Sequence, residues 1–241
     1  MKRILLAGVF ALAVAEQALA ADLPQPGPPP PRAPAAYAPL APIYNWGGIY
    51  FGVNAGYGFG VSNWTLPGGS VGAFNTDGFV VGGTVGANFQ AGALVFGLEG
   101  DLDWDNISGN SAAGCGGFAP SPAFTCQTAQ NWLGTARGRI GYAYDRILLY
   151  ATGGGAFGNI KATVNGSGLG TQSSNEFGWT AGLGVETAFA PNWTAKLEYL
   201  YVDLANGACL AACGIPAGGS TVAVSFTESL VRAGVNYKFS F

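Results

Sequence analysis

Apolar and polar side chains alternate with a period of two through the carboxyl-terminal segment, residues 224–241. Val235 and Phe239 fall on one face of a strand, whereas Arg232 and Lys238 fall on the other. Successive residues of a strand point to opposite faces, so this strand has an apolar face and a polar face. If the edge of this strand were exposed, its unpaired backbone groups would promote aggregation, whereas closure into a barrel would pair them with another strand. The pattern therefore favours a closed barrel, which in lipid also satisfies every backbone hydrogen bond.

The same alternation recurs after residue 46 and predicts an all-β chain of eight strands. It is sharpest in the third strand, where Leu98 and Leu102 oppose Glu99 and Asp101. The fifth strand is apolar and glycine-rich on both faces, so the pattern does not assign its sides. The predicted strands cover about 47–60, 78–90, 93–105, 131–144, 146–158, 176–189, 193–204 and 224–241.

Short and long connections alternate strictly between these strands. Tight turns are expected around residues 91–92, 145–146 and 191–192. Outer-membrane barrels have short periplasmic turns, longer extracellular loops and an even number of strands. The sequence thus predicts an eight-stranded antiparallel up-and-down transmembrane β-barrel. Its long extracellular loops would cover about 61–77, 106–130, 159–175 and 205–223.

A soluble eight-stranded barrel of the lipocalin kind is the competing fold, with its apolar side chains turned inward. Periodicity alone does not separate the two folds. Large aromatic residues at the strand ends favour the membrane, where they form girdles at the two interfaces. The predicted girdle residues are Trp46, Tyr57, Phe59, Phe89, Trp104, Trp132, Tyr142, Trp193 and Phe239.

If the polar faces point inward, carboxylates and basic side chains meet inside the barrel. Unpaired charge would be costly there, so we expect a network of ion pairs that plugs the interior and fixes strand register. A conducting path lined by these charges is the alternative. An interior of eight strands is narrow, although inward glycines such as Gly86 and Gly184 would leave gaps for water. The predicted network comprises Glu99, Asp101, Asp103, Arg137, Arg139, Glu186, Lys196, Glu198, Arg232 and Lys238.

The amino-terminal region indicates export. Lys2 and Arg3 precede an apolar segment and the small-residue site at 18–20, which predicts a signal peptide over 1–20. Residues 21–43 are rich in proline, which predicts a periplasmic tail or linker that acts as a spacer. The alternative is that this segment contacts peptidoglycan. The barrel domain is then 44–241. No other window is apolar over about 18 residues, so no helical membrane span is predicted.

The amino-acid composition argues against several classes of function. Charged residues make up 10% of the chain and the net charge is −3, which argues against nucleic-acid binding. The chain contains no histidine, so no catalytic set, cofactor site or metal site is predicted and the protein is expected not to be an enzyme. Carboxylates of the third strand could hold a cation, but ion pairing is the preferred interpretation.

Four cysteines lie in two local pairs, Cys115 with Cys126 and Cys209 with Cys213. An even count in an exported chain favours two disulfides in the extracellular loops. A zinc site is the rival interpretation, and the lack of histidine disfavours it.

Six segments carry a resemblance to a known family: ADLP (21–24), WGGIYFGVNAGYGFG (46–60), LGTARGRIGYAYDRILLYATGG (133–154), GWTAGLGVE (178–186), NWTAKLEYLYVDL (192–204) and VRAGVNYKF (231–239). They resemble the small eight-stranded outer-membrane barrels of alphaproteobacteria, often labelled porin-family or immunogenic outer-membrane proteins. The resemblance implies a surface-exposed structural protein, sometimes credited with weak porin activity, and no enzyme. It also supports an assembly signal at Tyr237, Phe239 and Phe241.

We therefore predict a monomeric outer-membrane barrel that supports envelope integrity. Its expected partners are outer-membrane lipid, lipopolysaccharide and the outer-membrane assembly machinery. A narrow low-conductance channel and a loop-mediated adhesin or haem-binding surface protein are the alternatives.

Overall fold

The computed structural model describes residues 44–66, 69–111, 125–165, 171–209 and 222–239. Within them the chain forms eight strands, each long enough to cross a membrane, which needs about 9–11 residues per strand. The strands are β1 (Gly48–Leu66), β2 (Gly69–Ala91), β3 (Leu94–Asn110), β4 (Thr125–Tyr144), β5 (Ile147–Asn165), β6 (Thr171–Ala188), β7 (Trp193–Cys209) and β8 (Val222–Phe239).

Each strand pairs antiparallel with its neighbour in sequence, and β8 pairs with β1 to close the barrel. The closing ladder runs from Ile49 opposite Phe239 to Thr65 opposite Ala223. The carboxyl-terminal strand therefore has no free edge along this ladder. The predicted fold class, an eight-stranded antiparallel up-and-down barrel, is confirmed.

Apolar side chains point outward and charged side chains inward. Leu98 is 71% exposed on the outer face of β3, whereas its neighbour Glu99 is 3% exposed inside. On β5, whose sides the sequence left unassigned, Leu148 and Tyr150 are buried and Leu149 faces outward. The outer face thus carries a continuous apolar belt, as a barrel in lipid requires.

The strands are longer than the sequence pattern predicted. Residues 61–77 were expected to form a loop, but β1 continues to Leu66 and β2 begins at Gly69. Beyond the apolar belt the outer face becomes polar, as at Asn159, whose side-chain amide donates to Ser173 Oγ (2.8 Å) and Asn175 Oδ1 (3.1 Å). The inner face is apolar there, as at Ile160, so the alternation seen in the membrane-spanning part is reversed while the backbone pairing continues. The same extension shortens the other three predicted loops.

Trp46 was predicted to join the outer aromatic girdle, and that prediction is wrong. Its side chain is 1% exposed inside the barrel, and the indole Nε1 donates to the Asp145 carbonyl oxygen at 3.1 Å. Trp46 precedes β1, so the alternation of that strand does not fix the direction of its side chain. Its backbone N–H donates to Gln90 Oε1 at 2.6 Å, which holds the segment at this end of the barrel.

Inward glycines were expected to leave gaps for water, but large side chains occupy those spaces. A Cβ added at Gly86 would lie 2.3 Å from Cζ of Tyr50, and one at Gly184 would lie 2.3 Å from Cζ of Tyr150. Gly58 similarly faces Ile107 and Leu230. The glycines therefore make room for packed side chains in a narrow interior.

The predicted signal peptide and proline-rich tail lie outside the described residues, as do Cys115, Cys213 and Phe241. The two disulfides accordingly stay a prediction. In the part of the chain that the structure describes, no helix is long and apolar enough to cross a membrane.

Substitution of Gly86 by alanine should destabilise the barrel, because the new methyl group collides with the Tyr50 ring. We expect Gly86→Ala to lower the free energy of unfolding by about 1–3 kcal/mol, measured by urea unfolding of the folded protein in lipid vesicles. Gly155→Ala is the matched control, since a Cβ there meets nothing within 4 Å. Equal stability of the two variants would contradict this packing.

Candidate functional site

The barrel interior is the candidate site, and its side chains form three successive layers. We call the end that carries the turns at residues 92–93, 145–146 and 189–192 the short-turn end. An aromatic layer lies at that end, an ionic layer follows, and an apolar layer lies beyond it. The aromatic layer consists of Tyr44, Trp46, Val95, Leu148, Tyr150 and Ala188.

Arg137 on β4 forms one centre of the ionic layer. Its Nη2 lies 2.5 Å from Glu99 Oε1 and 2.6 Å from Asp101 Oδ2, and its Nη1 lies 3.0 Å from Glu198 Oε1. Register places Arg137 directly opposite Glu99 on β3, so the first contact is a cross-strand pair. The contact with Glu198 crosses the interior to β7.

Arg232 on β8 forms the second centre. Its Nη1 lies 2.7 Å from Asp103 Oδ2, and its Nη2 lies 3.0 Å from Asp101 Oδ1 and 2.8 Å from Glu198 Oε2. Arg137 contacts Asp101 and Glu198 as well, so the four side chains form a closed ring of alternating charge. We call Arg137, Asp101, Arg232 and Glu198 the charge ring. It joins β3, β4, β7 and β8 across the barrel.

Arg139 and Lys196 extend the ionic layer toward the short-turn end. Arg139 Nη2 lies 2.7 Å from Glu186 Oε2, and its Nη1 lies 3.3 Å from Glu99 Oε2. The Arg139 guanidinium also stacks 4.2 Å from the Tyr150 ring centroid. Lys196 Nζ lies 3.1 Å from Glu99 Oε2. These contacts bring Glu186 into the same connected set of charges.

Neutral donors add hydrogen bonds to the carboxylates of the layer. The hydroxyls of Thr84 and Thr135 donate to Asp101 at 2.7 and 2.8 Å. Tyr50 Oη donates to Glu99 Oε2 at 2.6 Å, and Tyr150 Oη donates to Glu198 Oε1 at 3.1 Å. The sequence pattern did not predict these partners, although Tyr50 lies on the polar side of its strand. Such bonds offset part of the cost of removing the charges from water.

The structure brings nine of the ten predicted network residues into ion pairs. Lys238 makes no ion pair with a described carboxylate; it donates to the Asn45 carbonyl oxygen and lies 4.2 Å from the Tyr44 ring centroid. Burial raises the pKa of Tyr44 to about 12, so this phenol stays neutral beside the ammonium group. Lys238 therefore fastens the segment before β1. The nine predicted residues that form ion pairs are Glu99, Asp101, Asp103, Arg137, Arg139, Glu186, Lys196, Glu198 and Arg232.

The apolar layer lies beyond the charge ring and was not anticipated from the sequence. Leu133 and Leu200 are 0% exposed, and Leu230 is 1% exposed. Inward leucines at these positions break the polar pattern of the interior face, which is the signal that could have revealed them. The layer consists of Val80, Ile107, Leu133, Ala156, Ile160, Leu200, Val202, Leu204, Phe226 and Leu230.

The predicted network did not include Asp105 and Glu228. Both side chains are buried inside the barrel, at 2% and 1% exposure. Asp105 continues the inward series of Asp101 and Asp103 on β3, and Glu228 lies two positions from Leu230 on β8. Both residues lie within the predicted strands 93–105 and 224–241, so the period of two alone could have placed them on the inward face.

A closed barrel with an apolar outer belt and an ion-paired interior defines the class of this protein as a membrane-spanning β-barrel. The chain belongs to the family described as outer membrane protein beta-barrel domain, whose sequence profile matches residues 73–239.

Its relatives include outer-membrane proteins of Brucella and Rhizobium, and the chain is an outer-membrane protein like them. It is 35% identical to the 31 kDa outer-membrane immunogenic protein of Brucella melitensis, covering 99% of this chain and 100% of that protein. It is 29% identical to the 25 kDa outer-membrane immunogenic protein of Brucella abortus, covering 99% of both chains. Identity to the 22 kDa outer membrane protein of Rhizobium leguminosarum is 34%, covering 84% and 82%.

Removal of Arg232 should destabilise the barrel strongly, because Asp101, Asp103 and Glu198 would lose a shared cation in a dry interior. We expect Arg232→Met to lower the free energy of unfolding by about 3–5 kcal/mol, measured by urea unfolding in lipid vesicles. Arg146→Met, in an exposed turn, is the control and should change stability by less than about 0.5 kcal/mol. Similar losses in both variants would show that the charge ring does not hold the barrel together.

Proposed function

We propose that the protein is a structural, surface-exposed component of the outer membrane that supports envelope integrity and has no enzymatic role. The observation that carries this proposal is the filled interior. The aromatic, ionic and apolar layers succeed one another along the barrel axis, and each consists of buried side chains. A barrel closed in this way acts as a rigid anchor in lipid.

The outer face supports lipid and lipopolysaccharide as the direct partners. Exposed apolar side chains such as Phe79 (73% exposed) and Leu183 (65% exposed) need hydrocarbon around them. Burial of each large apolar side chain contributes about 1.5–3 kcal/mol, so the belt holds the barrel firmly in the membrane. The ion pairs of the membrane-spanning strands form within a single barrel, and this supports a monomer.

The filled interior also makes a narrow channel the weaker candidate function. A conducting path would need the charge ring and the apolar layer to separate, which leaves several carboxylates and guanidinium groups without their partners. Such separation costs several kcal/mol for each unpaired charge.

The adhesin or haem-binding alternative concerns loop residues outside the described ranges. The names of the Brucella relatives call them immunogenic, and this supports surface exposure here.

We propose that segments near the two ends of the chain direct its export and its assembly. The proposed signal peptide over 1–20 directs the protein to the periplasm, and the proposed disulfides of Cys115 with Cys126 and Cys209 with Cys213 form there. We propose that Tyr237, Phe239 and Phe241 on the last strand are read by the assembly machinery. In the folded barrel, Tyr237 and Phe239 are outward-facing neighbours with ring centroids 5.0 Å apart.

Planar-bilayer recording tests the structural role against the channel. We expect purified protein, inserted at a density verified by heat-modifiable migration, to give no discrete conductance steps, because three packed layers block the interior. A wide porin recorded in parallel is the positive control. Reproducible conductance that Arg137→Gln alters would favour the channel instead.

In cells, loss of the protein should raise sensitivity to detergents and bulky antibiotics. Expression of the wild-type chain should return that sensitivity to its original level.

Deletion of Phe241 should sharply lower the amount of protein in the outer membrane, because the terminal aromatic of the assembly signal is lost. Quantitative immunoblots of outer-membrane fractions measure this, with transcript levels held equal. Ser240→Ala is the control and should leave the amount unchanged. Normal yield without Phe241 would remove it from the signal.

A further inference from the structure

The charges inside the described barrel do not balance. The buried side chains include seven carboxyl groups and five basic groups, which would leave two negative charges in excess with every group ionised. Five of the carboxylates lie in the ion pairs of the ionic layer. The other two are Asp105 and Glu228, and neither makes an ion pair with a described basic side chain.

Asp105 and Glu228 lie on the far side of the charge ring from the short-turn end, among residues of the apolar layer. In the strand register, Asp105 is opposite Val80 and Glu228 is opposite Val202, and both valines are buried. Two bare carboxylates in such surroundings would repel each other and lack hydration. The cost of an uncompensated buried charge is several kcal/mol, so this pair needs a positively charged partner.

Several buried oxygen atoms around the pair have no hydrogen-bond donor within the described structure. They are both carboxylate oxygens of Glu228, Oδ1 of Asp105, the amide oxygen of Gln130 and the hydroxyl of Thr76. Gln130 Nε2 donates to Asp105 Oδ2 at 3.0 Å, and the same amide lies near Glu228 without forming a hydrogen bond to it. Gln130 is 1% exposed.

The Thr76 hydroxyl joins this group from β2. Gly60 on β1 pairs with Thr76 on one side and Glu228 on the other. A Cβ built on Gly60 would lie 3.0 Å from Thr76 Oγ1 and 3.1 Å from Glu228 Cβ. The hydroxyl and the carboxylate thus flank the same glycine. Four strands, β2, β3, β4 and β8, supply oxygen atoms to one buried region.

We infer that this region, which we call the oxygen cluster (Thr76, Asp105, Gln130 and Glu228), binds one divalent hard cation of the calcium type. Calcium takes carboxylate, amide and hydroxyl oxygens in flexible geometry. One such ion cancels the two excess charges and serves several unpartnered oxygens together. Two protons would cancel the charge as well, but each serves a single acceptor.

The described residues include no group of three or more His, Cys, Asp or Glu side chains that could hold a metal ion. The oxygen cluster has two carboxylates and takes its other ligands from neutral groups, so it differs from such a group. This composition predicts a preference for calcium over magnesium, which demands a strict octahedral arrangement and gives up its water reluctantly.

Calcium titration of the full-length protein tests the inference. Protein refolded into detergent, free of lipopolysaccharide and stripped with a chelator, is titrated with calcium chloride in a calorimeter. We expect one saturable site per chain, with weaker binding of magnesium, and a rise in the temperature of the heat-modifiable shift when calcium is present. Both effects should disappear on chelation.

Variants assign the site. Glu228→Gln and Asp105→Asn, which preserve side-chain size, should each weaken calcium binding by about tenfold or more. Asp77→Asn is the matched control, because Asp77 is adjacent to Thr76 but exposed on the outer face, and it should bind calcium like the parent. Absence of saturable binding by the folded parent protein would overturn the inference. So would binding that survives in the double variant, since the ion would then lie elsewhere.

Discussion

The charge ring formed by Arg137, Asp101, Arg232 and Glu198 is the interaction on which the rest of the barrel depends. An eight-stranded barrel sends every second side chain of each strand into a narrow interior, so polar faces that meet there must satisfy one another. The ring does this with two guanidinium groups that each contact both carboxylates. Because its members come from β3, β4, β7 and β8, a slip of any of these strands would separate charges in a dry environment.

Small and large side chains complement one another around that ring. Tyr50 and Tyr150 fill the spaces beside Gly86 and Gly184 and donate to Glu99 and Glu198. Each tyrosine therefore packs against a glycine and supports the ionic layer at once. The high glycine content of the chain is accordingly part of its interior packing, rather than a sign of an open lumen.

The sequence predicted the number of strands, their order and the inward direction of Glu99, Arg137 and Arg232, because a period of two survives wherever one face meets lipid. It did not predict the strand ends beyond the apolar belt, where polar Asn159 faces outward and apolar Ile160 faces inward, the reverse of the pattern in the membrane-spanning part. Trp46 escaped prediction because it precedes the strand whose alternation would have oriented it. The pairing of Lys196 with Glu99, rather than with a neighbouring strand, depends on barrel closure, which no local pattern encodes.

The extension of the strands past the apolar belt has a consequence for recognition by antibodies. A strand of 17 residues, the length of β3, is roughly 58 Å long at about 3.4 Å per residue. Tilted by about 45°, it rises roughly 40 Å, against an apolar band of about 25 Å. The excess forms a stiff collar of paired backbone. An antibody bound to the collar would touch side chains from separate strands, and denaturation would erase that epitope while leaving epitopes confined to one loop intact.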